Sequence, residues 1–396
     1  MSALAHPAPD EPAMDLERLA RLQAELSARD YAAGIFYDPT NIRYATGTSN
    51  MQVYSLHNPC RYAFVPAEGE VVLFDFAGCE HLSAGRSAVG EVRPATTWYH
   101  FIVGDRVREK AERWADEIAE LLRAAGGGRG RVAVDRLDPP GLRALEARGF
   151  AVGDGQKVAN AARMLKTPQE RLAVRAAVKN CERGMRRMRE ALVPGITEQA
   201  LWSHLHQANI EHGGEWIETR LLTSGPRTNP WYQECSSRVI EDGDVVAFDT
   251  DLIGAYGYSA DISRSWIAGD RKPTDEQRRL YAAAHEQVTR NIELFRPGAS
   301  FASIAARGHR LPERYREQTN SALAHGIGLC NEYPLIVSDM FWEDGGVNGE
   351  LREGMVLCVE SYAGEKGGRE GVKLEQQILV TDAGPELLSE FPLEVE

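Results

Sequence analysis

The feature that most constrains this chain is a group of acidic residues at the ends of apolar, strand-like segments. The run Asp244-Val-Val-Ala-Phe-Asp249-Thr-Asp251 is apolar and ends in two acids two residues apart. Alternate side chains of an extended strand point to the same face, so the pattern predicts Asp249 and Asp251 on one face, about 7 Å apart. Carboxylates in such a setting are unusual because apolar surroundings penalise charge.

A third acid is predicted to join this pair. The run Gly254-Ala-Tyr-Gly257 predicts a hairpin turn, and the returning segment 258–267 carries Asp261. A hairpin of this length places Asp261 opposite Asp249 and Asp251. Three carboxylates that converge between apolar strands cannot all remain ionised without a cation, so the sequence predicts a cation site.

Three further candidate ligands follow in the second half of the chain. Ala324-His325-Gly-Ile-Gly328 predicts a histidine in a tight glycine turn, Met355-Val-Leu-Cys-Val-Glu360 an apolar strand ending in glutamate, and Val372-Lys-Leu-Glu375 a glutamate within another strand. One imidazole with five carboxylates suits Mn(II), Fe(II), Co(II) or Zn(II), commonly as a pair about 3.5–4 Å apart. The bland alternative is that these acids are solvated or paired with arginine. The predicted metal ligands are Asp249, Asp251, Asp261, His325, Glu360 and Glu375.

The chain divides into two halves of different character. Segments 16–29 and 107–125 have helical spacing, and segments 33–37, 62–66, 71–76 and 132–135 are strand-like, which predicts a small α/β domain. The second half repeats one pattern, in which a capped helix is followed by Pro-Gly and a second helix, and this predicts a duplicated α+β domain. We therefore expect a disordered lead over residues 1–15, an N-terminal α/β domain over 16–160 and a catalytic domain over 161–396.

Charge and composition exclude several classes of partner. The formal net charge is −13 and no basic segment stands out, which argues against binding to nucleic acid or to an anionic membrane surface. No run approaches the ~18 apolar residues of a membrane span, and no signal peptide is visible. The six cysteines are scattered without a CxxC pair, as in reduced cytosolic proteins, so a cytoplasmic location is expected.

The order Asp, Asp, His, Glu, Glu resembles that of the pita-bread metallohydrolase family, which includes methionine aminopeptidase, aminopeptidase P, prolidase and creatinase. Asp38-Pro-Thr-Asn-Ile-Arg-Tyr-Ala-Thr-Gly47 is similar to the strand exit of the creatinase-type N-terminal domain. The resemblance implies an α+β fold, with a creatinase-like α/β N-terminal domain followed by a pita-bread metal-binding domain. It also implies a homodimer in which each N-terminal domain borders the partner's site.

Two departures separate the chain from the peptidases of this family. The interval from Asp249 to Asp261 is one residue longer, with Asp251 as an additional acid between them. The two histidines that hold substrate and transfer protons in the peptidases correspond here to Trp231 and Asn331, which cannot replace imidazole near neutral pH.

The altered spacing and the segment Asn50-Met-Gln-Val-Tyr-Ser-Leu-His-Asn-Pro59 are more similar to the dimethylsulfoniopropionate lyase branch, in which the six ligands bind iron. That branch carries an aspartate, proposed as the catalytic base, where this chain has Asn331. It carries a tyrosine where this chain has Asn320, and a tryptophan where it has Tyr54. Asn331 cannot abstract a proton, so a metal-bound hydroxide or Glu332 replaces it, or the substrate differs.

The resemblance implies a metal-dependent carbon–sulfur lyase that converts a small onium carboxylate into acrylate and a neutral leaving group. Onium groups favour aromatic faces. The candidate catalytic residues are Asn331, Glu332 and Asp249, and the candidate substrate-binding residues are Tyr54, Trp216, Trp231, Tyr232 and Asn320. Aromatic residues at such positions are also commonly part of the core. The alternatives are a dinuclear metallohydrolase of C–N bonds, acting on Xaa-Pro dipeptides or on creatine- or ectoine-like amides, and a non-catalytic scaffold.

Overall fold

The computed structural model describes residues 7–126 and 130–394, which form two compact units, Pro9–Arg163 and a unit that begins at Met164. Residues 1–6 of the predicted lead lie outside the described residues. The prediction of disorder is wrong for residues 11–15, because helix α1 begins at Glu11. The Asp10 carboxylate accepts a hydrogen bond from the amide of Ala13, and this N-cap starts the helix five residues earlier than the apolar spacing indicated.

The N-terminal unit is a mixed sheet with helices, as the strand and helix patterns predicted. Its six strands lie in the order β4-β3-β2-β1-β5-β6, with antiparallel pairs in the middle and parallel pairs towards both edges. A buried cluster of aromatic and aliphatic side chains packs between the sheet and α5. The elements are α1 Glu11–Ala28, β1 Ala33–Phe36, α2 Pro39–Thr46, α3 Gln52–His57, β2 Tyr62–Pro66, β3 Val71–Asp75, β4 Val89–Pro94, α4 His100–Val103, α5 Val107–Gly126, β5 Arg131–Val134, α6 Pro139–Glu146, β6 Ala151–Asp154 and α7 Gly155–Arg163.

The C-terminal unit contains long helices and antiparallel sheets. A three-stranded sheet has the order β11-β8-β7, a five-stranded sheet has the order β13-β12-β14-β15-β16, and β9 and β10 form a short hairpin. Its elements are α8 Pro168–Ala191, α9 Glu198–Glu211, β7 Leu222–Ser224, β8 Val245–Phe248, β9 Leu252–Ile253, β10 Ser259–Ala260, β11 Arg264–Ile267, α10 Asp275–Ile292, α11 Phe301–Arg307, β12 Ala322–Ile327, β13 Asn331–Val337, α12 Trp342–Gly345, β14 Val356–Gly364, β15 Gly371–Thr381 and β16 Gly384–Leu387.

The duplication predicted from the repeated helix pattern is present in the backbone. Thr167 and Thr274 each complete a capping box at the start of a long helix, α8 and α10. After each helix a Pro-Gly turn follows, and the amide of its glycine donates to a later strand-like segment, Gly195 to the carbonyl of Ile240 and Gly298 to that of Leu351. Both glycines have positive φ, which other residues adopt at a cost.

The two sheets of the C-terminal unit meet along β11 and β15. The Glu375 amide donates to the Ser263 carbonyl at 3.2 Å, and the Ser265 hydroxyl lies 3.0 Å from both the carbonyl and the amide of Lys373. These contacts hold the Asp249–Asp261 region of one sheet against the Glu375 strand of the other. Within residues 7–126 and 130–394, no helix combines the length and apolar character that crossing a bilayer requires.

Candidate metal centre

The three predicted aspartates converge at the end of β8. One carboxylate oxygen each from Asp249, Asp251 and Asp261 lie within 4.8 Å of one another, and all three residues are buried. The hairpin is as predicted, because β9 and β10 pair and return Asp261 to the first two acids. The expected continuous strand is wrong, however: β8 ends at Phe248, and Asp251 has a φ of +36°. Such a backbone is strained for a non-glycine residue, and strain of this kind concentrates at functional sites.

The second group comes from the five-stranded sheet. His325 Nε2 lies 3.3 Å from Glu375 Oε1 and 3.7 Å from Asp261 Oδ2, so the two groups form one site. Glu360 and Glu375 are register partners on β14 and β15. Two local predictions are corrected: His325 lies within β12 and not in the glycine turn, and Glu360 lies in the middle of β14 and not at its end. The glycines permit close approach, since a Cβ on Gly326 would meet the Tyr333 carbonyl oxygen at 2.6 Å.

Lys373 occupies the centre of the carboxylates and was not assigned a role from the sequence. Its Nζ lies 2.8 Å from Glu375 Oε2, 2.9 Å from Glu360 Oε2 and 3.3 Å from Asp249 Oδ2, and the side chain is 1% exposed. The sequence contained a signal for this contact: Lys373 precedes Glu375 by two residues, so the two side chains share one face of the strand. Five carboxylates and this ammonium carry a formal charge of −4, which two divalent cations would balance.

The acids of the site show the effect of crowding in their pKa values. Burial and the charge of Asp249 raise the pKa of Asp251. Burial and the charges of Asp249 and Asp251 raise the pKa of Asp261 well above its usual range. Burial and the charge of Asp249 likewise raise the pKa of Glu375. Burial opposes ionisation of Asp249 as well, but Lys373 and hydrogen bonds hold its pKa below the usual range. Burial opposes protonation of His325, but Glu375 raises its pKa to about 9.

These observations meet the requirements of a metal site. Several buried carboxylates repel one another, and Glu375 Oε1 is a buried oxygen that faces the imidazole of His325 at 3.3 Å. Neighbouring side chains hold the ligands in place: the Ser263 hydroxyl lies 2.8 Å from Asp249 Oδ1, and the Thr219 hydroxyl donates to Asp251 Oδ2 at 2.8 Å. Carboxylates with one imidazole are the donors that Mn(II), Fe(II), Co(II) and Zn(II) accept, so the residues present fit the predicted pair of ions.

The structure separates the two neighbouring catalytic candidates. Asn331 is exposed, and its side-chain amide lies 3.5 Å from Asp251 Oδ1, so it borders the aspartates. Glu332 is buried, and its carboxylate accepts hydrogen bonds from Lys166 Nζ at 2.7 Å and from the Leu329 amide at 3.0 Å. These contacts disfavour Glu332 as the replacement base, a role that stays a prediction. Alternation along β13 turns its side chain away from that of Asn331, and Lys166 neutralises it.

The predicted substrate-binding residues differ in their surroundings. Tyr232 is 67% exposed and has a strained φ of +70°, and partial burial of its hydroxyl and then the charge of Glu360 raise the pKa of that hydroxyl. Trp231 is buried and stacks on Tyr362 at 5.8 Å, as a core residue does. Trp216 is half-buried, and its carbonyl accepts from the Ile253 amide. Tyr54 belongs to the N-terminal unit, where its ring lies 6.2 Å from Phe76.

Asn320 and Cys358 contact the ligands themselves. The Asn320 side-chain amide donates to Glu360 Oε2 at 2.8 Å, so this residue orients a ligand. The predicted contact between Asn320 and the substrate stays a prediction. Cys358 Sγ lies within 4.8 Å of ligand atoms of Asp261, His325 and Glu375. Cys358 and Glu360 are two residues apart on β14 and therefore share a face, which was the sequence signal for this contact, whereas Cys358 was predicted to be a reduced thiol outside the site.

Comparison with known proteins identifies the family. The profile of the Metallopeptidase family M24 matches residues 173–382, and that of the Creatinase/Prolidase N-terminal domain matches residues 18–165. The chain therefore belongs to the metallopeptidase family M24. Membership of this family implies a site for two divalent metal ions, in agreement with the ligand groups described above.

Two lyases are similar in sequence to nearly the whole chain. The chain is 42% identical over 391 residues to dimethylsulfoniopropionate lyase DddP of Roseovarius nubinhibens, covering 98% of this chain and 88% of that protein. It is 42% identical over 393 residues to dimethylsulfoniopropionate lyase DddP of Roseobacter denitrificans, with the same coverage. Its identity to the probable dipeptidase PepE of Mycobacterium tuberculosis is 28% over 236 residues, 59% of this chain and 60% of that one.

Solved structures show the fold. An Xaa-Pro dipeptidase from Bacillus anthracis aligns with a TM-score of 0.76 at 19% identity, covering 96% of this chain and 99% of that one. The dipeptidase PepE from Mycobacterium ulcerans aligns with a TM-score of 0.76 at 24% identity, covering 98% and 99%. The predicted α+β class, with a creatinase-type N-terminal domain and a pita-bread domain, is confirmed.

Proposed function

We propose that this protein is a metal-dependent lyase that cleaves dimethylsulfoniopropionate, or a related small onium carboxylate, to acrylate and a neutral leaving group. The observation that carries the proposal is identity of 42% over 98% of the chain to two dimethylsulfoniopropionate lyases. In sequence, the probable dipeptidase PepE of Mycobacterium tuberculosis matches 59% of the chain at 28% identity. The family resemblance matches the two peptidase imidazoles with Trp231, which is buried, and Asn331.

Two divalent ions would be held by Asp249, Asp251, Asp261, His325, Glu360 and Glu375, and we propose Fe(II), with Mn(II), Zn(II) and Co(II) as alternatives. When bound, these ions supply positive charge that binds the substrate carboxylate and makes its α-hydrogen more acidic. Lys373 keeps Glu360 and Glu375 oriented and reduces the repulsion between them. The side-chain amide of Asn320 donates a second hydrogen bond to Glu360 Oε2, in addition to that from Lys373.

The proposed reaction is an elimination. The bond from the α-carbon to hydrogen breaks, its electron pair forms the carbon–carbon double bond, and the bond from the β-carbon to sulfur breaks with its electrons on sulfur. The products are acrylate, dimethyl sulfide and a proton, and the proton passes to water. Because the sulfonium leaves as a neutral molecule, no general acid is needed, which agrees with the absence of imidazole at Trp231 and Asn331.

Tyr232 is the side chain that we propose to receive the onium group. Its ring is exposed, and after burial the charge of Glu360 is the next cause that raises the pKa of its hydroxyl, which supports a position near the ligands. An aromatic face contributes about 0.5–2 kcal/mol to binding of an organic cation. Asn331 cannot accept a proton, and its amide instead donates towards Asp251.

Proton NMR of the reaction mixture tests this function. Metal-loaded protein incubated with dimethylsulfoniopropionate is expected to give the vinyl signals of acrylate together with the methyl signal of dimethyl sulfide. Formation of 3-hydroxypropionate without acrylate, or an unchanged substrate spectrum, would contradict an elimination. A protein purified without bound transition metal and unable to bind it would favour the non-catalytic scaffold.

The second candidate is a dinuclear metallohydrolase of C–N bonds. It is favoured by the fold, which is that of Xaa-Pro dipeptidases, and by the identity of 26% over 240 residues to the Xaa-Pro dipeptidase of Pyrococcus furiosus. Hydrolysis of Xaa-Pro dipeptides, or of creatine- or ectoine-like amides, by the same preparation would support it.

A homodimer and a cytoplasmic location complete the proposal. Several apolar side chains of the N-terminal unit are exposed close together in sequence, among them Met51, Val53, Tyr54 and Leu56 on and beside α3. Exposed apolar patches of this kind commonly mark protein interfaces. We propose that a second copy of the chain covers this face, and that α3 with Tyr54 thereby borders the partner's site. The cytoplasmic location rests on the spacing of the cysteines.

A further inference from the structure

Strand β13 carries an exposed leucine in the part of the sheet that holds the metal ligands. The strand is at the edge of the five-stranded sheet, with β12 as its neighbour. Its residues alternate between exposed and buried from Asn331 to Leu335, and Leu335 is 45% exposed. At the start of the same strand, the side-chain amide of Asn331 lies 3.5 Å from Asp251 Oδ1, so β13 borders the site.

The register between β12 and β13 places Leu335 beside a metal ligand. Leu335 is the Cα partner of His325, and Ile336 is that of Ala324. These two pairs are consecutive, and the irregularities of the ladder lie outside them. Directly opposite residues of antiparallel strands share one face of the sheet, with their Cβ atoms about 4.5–5.5 Å apart. Leu335 is therefore the cross-strand neighbour of His325.

The opposite face of these strands belongs to the core. Ala324 and Ile336 are members of a buried hydrophobic cluster. Because successive side chains of a strand point to opposite faces, His325 and Leu335 point away from that cluster. The face to which they point is that of the metal ligands, since His325 Nε2 lies 3.3 Å from Glu375 Oε1. Leu335 is thus an aliphatic side chain that is open to solvent on the ligand face.

An aliphatic side chain in this position suits the methyl groups of an onium substrate. Contact between methyl groups and a leucine removes apolar surface of both partners from water, which favours binding in proportion to the area. A single exposed leucine is ordinary on a protein surface. What distinguishes Leu335 is its place next to His325, one strand away from the ions that would hold the substrate carboxylate.

We propose that Leu335 is a specificity-determining residue of the site and contacts the methyl groups of the onium substrate while the substrate carboxylate binds the metal ions. The identity of the substrate rests on the proposed function, whereas the position of Leu335 rests on the register of β12 and β13. Leu335 adds an apolar contact to the attraction of positive charge proposed for Tyr232.

A matched pair of variants tests this contact. Leu335→Ala removes the aliphatic side chain and leaves the backbone of β13 unchanged. The control is Leu387→Ala, because Leu387 is 50% exposed and lies on β16, the opposite edge strand of the same sheet. Both side chains are largely exposed, so both variants are expected to fold, and thermal unfolding checks this.

Two probe ligands separate a contact with the onium group from an effect on the metal ions. Glycine betaine is an onium carboxylate that cannot undergo the elimination because it has no β-carbon, and acetate is the same carboxylate without the onium group. Titration of the full-length Co(II)-loaded protein, followed by its visible absorption, gives a dissociation constant for each ligand. We expect Leu335→Ala to raise the dissociation constant of glycine betaine about fivefold and to leave that of acetate within about twofold. Leu387→Ala should change neither.

An unchanged dissociation constant of glycine betaine in Leu335→Ala would overturn the proposal. Equal weakening of glycine betaine and acetate would also overturn it, because Leu335 would then act through the metal ions. So would the absence of a saturable spectral change when glycine betaine is added to the wild-type protein. The titration involves no turnover. A negative lyase assay beside the expected binding pattern would therefore contradict the proposed reaction and leave the contact with Leu335 standing.

Discussion

Lys373 Nζ lies 2.8 Å from Glu375 Oε2, two residues further along the same buried strand. The same ammonium contacts Glu360 and Asp249, so one lysine links three predicted metal ligands. Replacing Lys373 with methionine removes the ammonium that balances these carboxylates. We expect the metal-free protein to lose about 3–5 kcal/mol of unfolding free energy, because uncompensated charges remain buried.

The metal-loaded Lys373→Met protein should lose much less stability, since the bound cations then balance the carboxylates. Urea unfolding with and without a chelator measures the difference. Lys373→Arg, which retains the positive charge, serves as the matched control and should lose less than Lys373→Met in the metal-free state. Equal losses for Lys373→Met in both metal states would contradict this role for the lysine.

Glu332 is predicted to stabilise the C-terminal unit without taking part in the reaction. Its carboxylate and the Lys166 ammonium are 2.7 Å apart, with side-chain exposures of 1% and 2%. Glu332→Gln removes the carboxylate charge 2.7 Å from the buried ammonium and should lower the unfolding free energy by about 3–5 kcal/mol. The kcat of the folded fraction should stay within about twofold, because no proton transfer depends on this carboxylate. A fall in kcat with unchanged stability would contradict this prediction and indicate that Glu332 takes part in the reaction.

Asn320 is predicted to control metal affinity through Glu360. Removing the amide that donates to Glu360 Oε2 in Asn320→Ala should weaken metal binding about 10–100-fold, as is usual when a hydrogen bond that orients a ligand is lost. Competition with a chromophoric chelator measures the affinity. Asn58→Ala removes a surface amide in the other unit and should leave it unchanged. Unaltered affinity in Asn320→Ala would show that Glu360 needs no such support.

Asp135 is predicted to make the N-terminal unit less stable as the pH rises through weakly acidic values. Burial raises the pKa of this carboxyl to about 6, although it accepts hydrogen bonds from the amides of Tyr37 and Asp38. The folded protein therefore retains a proton that the unfolded chain releases near its ordinary pKa of 3.8. The unfolding free energy should fall by about 3 kcal/mol between about pH 4 and pH 6, and then level off.

The matched variant for this prediction is Asp135→Asn, which cannot titrate. Urea unfolding of both proteins at several pH values isolates the contribution of Asp135 as the difference between them. That difference should change across the window and be constant above about pH 7. Parallel curves across the whole range would show that Asp135 is ionised in the folded protein.

The sequence was sufficient to predict that the candidate metal ligands come together, but not the contacts among them. The acids at the ends of apolar segments can be identified from the sequence alone. Their order along the chain, together with the histidine between glycines, resembles one fold family. The contact between Lys166 and Glu332 joins residues 166 positions apart, and no local pattern indicates it. The sequence also could not separate core aromatic residues from exposed ones among the substrate-binding candidates. Burial of Trp231 against Tyr362 and exposure of Tyr232 depend on packing between residues that are distant in the chain.

The most direct test of the account is headspace detection of dimethyl sulfide from iron-loaded protein supplied with dimethylsulfoniopropionate, run beside an Xaa-Pro dipeptide assay. The account predicts dimethyl sulfide from the wild-type protein, none from Glu360→Gln, and no cleavage of the dipeptide. Cleavage of the dipeptide without dimethyl sulfide would contradict it and assign the site to hydrolysis. Dimethyl sulfide only after Asn331→Asp and Asn320→Tyr are introduced would also contradict it, because the natural substrate would then be a different molecule.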